Sequence, residues 1–376
     1  MTAGWRIAAI CGAAMLAAGC ASVTEGTQAR TASVEVPLSL NTAQTSADGT
    51  WAVIPMGATG PNLFWQMFEL SAAGTWSLQT PPDIATNGAI VLAPRKGTLV
   101  TGIRASLDLT FSPVTETADD GKTWTTLAPD SGLADVPDAL AAAPDGHLMA
   151  LGAGQVSVLN PGGSSWTALT SQHALASEPG TRDCGLTALT AAAYTTSGTP
   201  LLAGTCSRAG VAGIFAYTAG SWHLTGPVPP PALTTERVQV LRLIRTGIGT
   251  EAALLEAGSG IFAAWSSDNG RHWSESAAFA LGRTQPVSVS FGAGGGIVMA
   301  LTGNHAETLA SSGASWQSLP ALPAGRSITL AETATGATDA LAADGSTLTV
   351  WQHTAGSDHW VKTQAINVPI QYGSSS

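Results

Sequence analysis

The sequence contains few charged residues: Asp, Glu, Lys and Arg together make up 11% of its 376 residues. Basic residues are the scarcer kind, with 15 Lys and Arg against 25 Asp and Glu, and the formal net charge is −10 at pH 7. Proteins that bind nucleic acids normally carry a basic stripe. The shortage of basic residues therefore predicts that this chain does not bind nucleic acid.

Long apolar runs are absent after residue 20. A membrane-spanning helix needs about 18 or more consecutive apolar residues, so we expect none in that part of the chain. The apolar residues occur instead in short runs that are interrupted by many of the 43 glycines and 21 prolines. This pattern is typical of short β-strands joined by tight turns and predicts an all-β protein.

The N-terminal segment differs from the rest of the chain. Residues 7–19 form an apolar run after the basic Arg6, and the run ends in the sequence LAAGC at residues 16–20. The run is too short to span a bilayer and has the length of the apolar region of a signal peptide. Its end resembles the bacterial lipobox, in which the cysteine thiol receives a diacylglycerol and becomes the mature N-terminus.

The lipobox resemblance implies a signal peptide at residues 1–19, followed by a lipidated Cys20 and a flexible tether that ends at residue 32. The tether is small and polar, which favours flexibility. The protein is then expected on the extracellular side of the cell membrane, because two or three acyl chains anchor a protein stably. An ordinary signal peptide that contains a cysteine is the alternative.

The chain has four cysteines. Cys11 leaves with the signal peptide and Cys20 carries the lipid, so Cys184 and Cys206 remain as an even pair in an exported protein. Such a pair predicts a disulfide bond. The two cysteines flank a predicted hairpin at residues 186–194 and 200–205, which would place them roughly opposite each other. Two buried free thiols are the alternative.

A short unit recurs along the chain: a turn rich in Gly or Ser, then a tryptophan, then a short strand. Successive tryptophans are 42 to 56 residues apart, which is the length of one four-stranded propeller blade. The repeats predict a seven-bladed β-propeller at residues 33–371 and a tail at 372–376, with six or eight blades as alternatives. We also expect one chain terminus to complete a blade begun by the other. The repeated tryptophans are Trp76, Trp124, Trp166, Trp222, Trp273, Trp316 and Trp360.

Two of the turns follow a stricter pattern. Residues 266–273, SSDNGRHW, fit Ser-x-Asp-x-Gly-x-x-Trp, and residues 117–124, TADDGKTW, fit it with Thr in place of Ser. The pattern resembles the Asp box, or BNR repeat, of sialidase-like β-propellers, and the other five copies keep Gly and Trp without the Asp. The motif positions are Ser266, Asp268, Gly270, Trp273, Thr117, Asp119, Gly121 and Trp124.

The Asp box is a turn-stabilising device. Its Asp can accept hydrogen bonds from turn amides, its Gly adopts a backbone angle that other residues avoid, and its Trp buries a large surface. In the families that the chain resembles, the motif lies on the face opposite the active site. The resemblance therefore implies a structural role for Asp119 and Asp268.

The catalytic set of sialidases is not matched. Their first arginine lies in a Phe/Tyr-Arg-Ile-Pro motif, whereas Arg104 lies in Gly-Ile-Arg-Ala. We place Tyr194 in a turn, Tyr217 in an outer strand and Tyr372 in the tail, and none of these positions suits the sialidase nucleophile. The seven histidines and the remaining cysteines have no metal-ligand spacing. We therefore expect no metal, no cofactor and no catalytic residue.

Half of the twelve arginines map to loops that would open on one face of a propeller. Four precede a predicted innermost strand, and two fall in loops between second and third strands. Arginine recognises carboxylates and phosphates in a bidentate manner, so these residues predict a site for an anionic glycan, lipid headgroup or protein segment. Solvated arginines are also common in loops, which is the alternative. The candidates are Arg182, Arg237, Arg283, Arg326, Arg104 and Arg208.

These observations favour a monomeric, non-catalytic binding or scaffold protein that is anchored to the membrane and contacts an envelope protein or an anionic glycan. In repeat architecture alone, the turns also resemble a non-enzymatic propeller of the photosystem-assembly-factor type. One alternative is an envelope assembly role without a small ligand. Another is a divergent glycoside hydrolase, which would need two converging carboxylates. Its candidates are Asp83, Asp108, Asp183, Glu236 and Asp344.

Overall fold

The computed structural model describes residues 42–46, 49–58, 63–81, 90–95, 97–103, 114–127, 137–311, 313 and 315–370. Most of them form β-strands and turns, together with a short helix α1 (Gln172–Ser177) and 3₁₀ helices at Arg182–Cys184 and Pro231–Leu233. No helix within these ranges has the length and apolar character needed to cross a membrane. The predicted signal peptide, Cys20 and the tether lie outside the described residues.

The described strands form seven consecutive antiparallel meanders, numbered 1–7 here, and the four strands of each are named A to D in chain order. Meanders 1–3 contain β1 (Thr42–Ser46), β2 (Gly49–Gly57), β3 (Leu63–Leu70), β4 (Trp76–Leu78); β5 (Ile90–Arg95), β6 (Thr98–Ile103), β7 (Val114–Thr117), β8 (Thr125–Thr126); β9 (Ala139–Ala142), β10 (Leu148–Gly152), β11 (Gln155–Leu159) and β12 (Thr167–Ser171).

Meanders 4 and 5 contain β13 (Leu186–Tyr194), β14 (Pro200–Cys206), β15 (Gly213–Thr218), β16 (Ser221–Leu224); β17 (Val238–Arg245), β18 (Glu251–Ala257), β19 (Gly260–Ser266) and β20 (Ser274–Glu275). A further strand, β21 (Phe279–Ala280), pairs with β19. Meanders 6 and 7 contain β22 (Pro286–Phe291), β23 (Ile297–Leu301), β24 (His305–Leu309), β25 (Gln317–Ser318); β26 (Ser327–Glu332), β27 (Thr338–Asp344), β28 (Thr347–His353) and β29 (Val361–Asn367).

The A strands lie innermost, because they contact A strands of neighbouring meanders, whereas each D strand pairs with the C strand of its own meander. One parallel bridge, between Gln44 of β1 and Phe291 of β22, joins meanders 1 and 6 into a single eight-stranded sheet. The other five meanders form separate sheets in the part of the chain that the structure describes.

Hydrophobic clusters join the meanders in a closed cycle. Each of the seven clusters contains residues from two consecutive meanders, and one of them joins meander 7 to meander 1. Every repeated tryptophan lies immediately before or within its D strand and packs in the cluster shared with the preceding meander. The predicted all-β fold is confirmed, while the count of seven blades stays a prediction that this cycle supports.

The junction between meanders 1 and 7 differs from the expected sharing of a blade. Among the described residues, each meander takes its four strands from one continuous stretch, and strand A of meander 1 begins at Thr42. Side chains make the junction instead. Trp76 Nε1 donates to Asp339 Oδ2 at 2.8 Å. The Gln364 side chain bonds both backbone groups of Trp76, at 3.0 Å to the N–H and 2.8 Å to the carbonyl.

The turns between strands A and B share one hydrogen-bond pattern in meanders 3 to 7. The first turn residue donates its N–H to the carbonyl four residues later, and a glycine at the fourth position donates back to the first carbonyl. Those glycines have φ between 78° and 97°, a conformation that side chains with a Cβ rarely adopt. The turns span 143–147, 195–199, 246–250, 292–296 and 333–337.

Candidate functional site

The predicted disulfide between Cys184 and Cys206 is confirmed. Both cysteines are fully buried, and their Cα atoms are 4.9 Å apart. Cys184 ends the 3₁₀ helix that precedes β13, and Cys206 ends β14. The bond therefore fastens the segment before strand A of meander 4 to the loop that follows strand B.

Backbone hydrogen bonds extend this connection to meander 5. Ser207 N donates to Gly185 O at 3.0 Å, and Arg208 N donates to Cys184 O at 3.3 Å. On the other side, Gly210 N donates to Glu236 O at 2.8 Å, just before β17. Gly210 has φ +70°, and a Cβ there would lie 2.3 Å from Thr234 O, so this approach requires glycine.

Three of the six predicted arginines lie in the segments that these bonds connect. Arg182 is in the 3₁₀ helix, Arg208 is in the loop after β14, and Arg237 directly precedes β17; all three are exposed. Arg237 Nη2 also donates to Thr187 Oγ1 in β13 at 2.6 Å. We call the segments 182–187, 207–210 and 236–237 the arginine loops.

The other predicted arginines belong to different meanders. Arg283 is exposed and lies shortly before β22, and Arg326 is exposed and directly precedes β26. Arg326 Nε lies 4.0 Å from Asp344 Oδ1, an exposed ion pair. Arg104 lies outside the described residues. The described contacts therefore connect the segments that carry Arg182, Arg208 and Arg237, whereas Arg283 and Arg326 lie before strands of other meanders.

The two strict Asp motifs form the same turn. Asp268 Oδ1 accepts from Ser266 Oγ at 3.0 Å and from His272 N at 2.9 Å, and Ser266 Oγ accepts from Gly270 N at 2.9 Å. In the turn at 117–124, Asp119 Oδ1 accepts from Thr117 Oγ1 and from Thr123 N, each at 2.9 Å. We call residues 117–124 and 266–273 the Asp turns.

Hydrogen bonds keep both Asp carboxylates ionised. The Thr123 hydroxyl is the main cause of the lowered pKa of Asp119, and the His272 backbone N–H is the main cause of the strongly lowered pKa of Asp268. A general acid needs a pKa near the working pH, so a carboxyl with a lowered pKa is poorly suited to that role. Their hydrogen bonds instead fix the path of the turns.

The described hydrolase candidates are all exposed. Asp183 and Glu236 lie in the arginine loops, Asp344 pairs with Arg326, and Asp83 and Asp108 lie outside the described residues. Burial raises the pKa of Asp339. Its carboxylate nevertheless has a structural role, because it accepts hydrogen bonds from the side chains of Trp76 and Gln352. Within the described residues, no group of three His, Cys, Asp or Glu residues is placed to hold a metal ion.

The innermost strands line a cavity of about 210 Å³ that sequence reasoning missed. Arg242 and Arg245, both in β17, line it, together with Tyr194 at the end of β13. Tyr194 is thus a buried strand residue, which corrects the expectation that it lies in a turn. The sequence segment VQVLRLIR at residues 238–245 carried the clue, because two arginines in an innermost strand must lie near the axis.

Comparison with known proteins gives no matching family model and no matching curated protein. A candidate 6-phosphogluconolactonase from Bacteroides uniformis is 14% identical, with 85% of this chain and 97% of that chain covered and a TM-score of 0.53. YCF48 from Cyanidioschyzon merolae is 16% identical, with 82% and 95% covered and a TM-score of 0.50. The structural neighbours have propeller folds, which confirms the predicted fold class.

Proposed function

We propose that this chain is a non-catalytic binding or scaffold propeller that holds an anionic glycan or protein segment at its arginine loops. We further propose that lipid on Cys20 anchors it on the extracellular side of the membrane. The observation that carries the first proposal is the fastening of Arg182, Arg208 and Arg237 by one disulfide and by hydrogen bonds between three chain segments.

Fixed loops favour binding because less conformational freedom is lost when a partner docks. The disulfide and the bond from Gly210 to Glu236 restrain the loops before any partner arrives. Exposed guanidinium groups can form paired hydrogen bonds with carboxylates or phosphates. In a chain with a net charge of −10, such a group of arginines is a distinct place for an anion.

The arginine loops also carry carboxylates, which accept hydrogen bonds. Asp183 and Glu236 are exposed next to Arg182 and Arg237, respectively. A bare phosphate would be repelled by these carboxylates, whereas a uronic-acid glycan or an acidic peptide offers hydroxyl or amide donors beside its carboxylates. The alternation of charge therefore favours a glycan or a protein segment as the partner.

The glycan proposal can be tested with the mature lipoprotein in detergent, using polygalacturonate as the probe and a neutral glucan for comparison. We expect polygalacturonate to bind, and the double variant Arg208→Ala/Arg237→Ala to bind about tenfold or more weakly, a loss of about 1.4 kcal/mol. Arg271→Ala, which removes an exposed arginine of an Asp turn, is the matched control and should bind like the wild type.

A protein partner is tested with the same three proteins as bait in solubilised cell envelope. A partner retained by wild type and Arg271→Ala but lost by the double variant supports the proposal. If neither polygalacturonate nor an envelope protein distinguishes the double variant from the control, the arginine loops are not the binding site.

The anchor is tested separately by replacing Cys20 with Ser. Wild-type protein should incorporate a labelled fatty acid and sediment with membranes, because two or three acyl chains hold a protein there. Cys20→Ser should lose both properties. Label in the variant, or membrane association of unlabelled wild type, would contradict lipidation at Cys20.

A further inference from the structure

The central cavity exists because the A strands have small side chains where they approach the axis. Alanines of β9 and β13, at positions 139, 141, 142 and 191–193, form much of its wall, together with strands from meanders 1, 2, 5 and 6. Larger side chains at these positions would fill the space. At about 210 Å³ the cavity exceeds the roughly 150 Å³ of an apolar protein cavity that accommodates benzene.

Two arginines of one strand line this space. Arg242 is the fourth residue from the end of β17 and Arg245 is its last residue, and both are half-buried. Burial lowers the pKa of Arg242 to about 10, which still leaves it protonated at neutral pH. Burial also lowers the pKa of Arg245, partly offset by Glu251, its cross-strand neighbour.

The charges around the cavity favour an anion. Its described lining contains two arginines and one carboxylate, that of Asp138. Tyr194 also lines the cavity, and burial raises the pKa of its hydroxyl, which is therefore a neutral hydrogen-bond donor. Partly desolvated guanidinium groups gain more from an anionic partner than exposed ones do, because the local dielectric is lower.

Most of the remaining wall is apolar. Ile90, Leu92, Leu243 and Phe291 contribute aliphatic and aromatic surface. Arg245 and Tyr194 are the last residues of their strands, whereas Ile90 is the first residue of β5. Because the A strands occupy equivalent places in consecutive meanders, Arg245 and Tyr194 lie towards the A–B turns and Ile90 lies towards the other end.

We propose that the central cavity is a binding site for a small apolar monocarboxylate of about the size of benzoate, with its carboxylate at Arg242 and Arg245 and its apolar part against Ile90 and Leu92. This site is separate from the arginine loops and uses different residues. Each site can therefore fail its test without affecting the other.

The test is calorimetric titration of the mature lipoprotein in detergent with benzoate and with benzamide, its neutral counterpart of similar shape. We expect benzoate to bind at least tenfold more tightly than benzamide, and Arg242→Gln to remove most of this preference. Arg283→Gln, which changes an exposed arginine outside the cavity, should leave the preference unchanged.

A second variant serves if Arg242→Gln does not fold. Ala139→Leu enlarges a half-buried cavity residue without changing any charge, and it should reduce benzoate affinity about tenfold or more. The proposal is overturned if benzoate does not bind, if benzamide binds equally well, or if Ala139→Leu binds benzoate like the wild type.

Discussion

At the scale of single residues, the Asp turns show how a few side chains replace backbone hydrogen bonds. Asp268 accepts from Ser266 and from the backbone of His272, while Asn269 and Gly270 adopt positive φ. Asn tolerates this conformation better than most residues with a Cβ, and Gly tolerates it fully. The Asp268 carboxylate thus stabilises a turn whose backbone conformation Asn269 and Gly270 readily adopt.

The lowered pKa of Asp268 predicts a pH-dependent contribution to stability. A carboxyl whose pKa is lower in the folded than in the unfolded chain stabilises the fold above the unfolded value of about 3.9. That contribution is lost as the pH falls through the folded value. We therefore expect Asp268→Asn to lower the melting temperature by a constant amount above about pH 5, and by a decreasing amount below about pH 4.

Thermal unfolding by circular dichroism from pH 7 to pH 3 measures this difference. Asp120→Asn is the matched control, since Asp120 lies next to Asp119 in the other Asp turn and Asn also accepts its φ of 59°. The control should show no comparable decrease in melting temperature at neutral pH. A melting-temperature difference for Asp268→Asn that stays constant down to pH 3 would contradict the role of the ionised carboxylate.

At the scale of elements, the repeated tryptophan joins neighbouring meanders. Each of these side chains packs in a cluster made by two consecutive meanders, so one residue type at one place in the repeat forms every junction. Their burial differs: Trp76 and Trp222 are 2% and 3% exposed, whereas the other five are half-buried. The junctions should therefore differ in strength.

The loss in free energy of unfolding when a junction tryptophan is replaced with alanine should increase with the burial of that tryptophan. Trp222→Ala should lower the free energy of unfolding by about 3 to 5 kcal/mol, the usual cost of removing a buried large aromatic side chain. Trp166→Ala, at the equivalent place in meander 3, should cost less because Trp166 is half-buried. Denaturant titration with the disulfide intact measures both values, and equal costs would show that burial does not set the strength of the junctions.

At the scale of the whole molecule, the cycle closes between the first and last meanders. Gln364 of β29 bonds the N–H and the carbonyl of Trp76, residues that are 288 positions apart in the chain. The backbone N–H of Gly57 donates to Gly345 O at 2.8 Å across the same junction. Among the described residues, these contacts join the first and last meanders.

Gln364→Ala should weaken this closure. The variant leaves two backbone groups of the buried Trp76 without their partner, which costs about 1 to 3 kcal/mol. We expect faster amide hydrogen exchange in meanders 1 and 7 and unchanged exchange in meander 4. Gln317→Ala, on the exposed strand β25, is the control and should leave the amide exchange of meanders 1, 4 and 7 unchanged. Uniformly faster exchange in Gln364→Ala would argue against a local role at the junction.

Local features were predictable from the sequence because their causes lie within a few residues. The tryptophan repeat, the Asp turns and the pairing of Cys184 with Cys206 across one hairpin all depend on short spacings. The repeated A–B turns were missed, although they are local, because their first residue varies among Ala, Thr and Gly. Only the glycine at the fourth position is common to the five turns.

The sequence by itself determined the all-β class, the repeating unit and the residues that stabilise its turns, since strand patterns and tight turns are set by near neighbours. Only the tertiary structure decided that the segments carrying Arg182, Arg208 and Arg237 are connected, that Arg242 and Arg245 line one cavity, and that Trp76 bonds Asp339 and Gln364. The physical reason is that these arrangements depend on how separate strands pack around a common axis. No spacing along the chain encodes the distance between residues that meet only when the cycle closes.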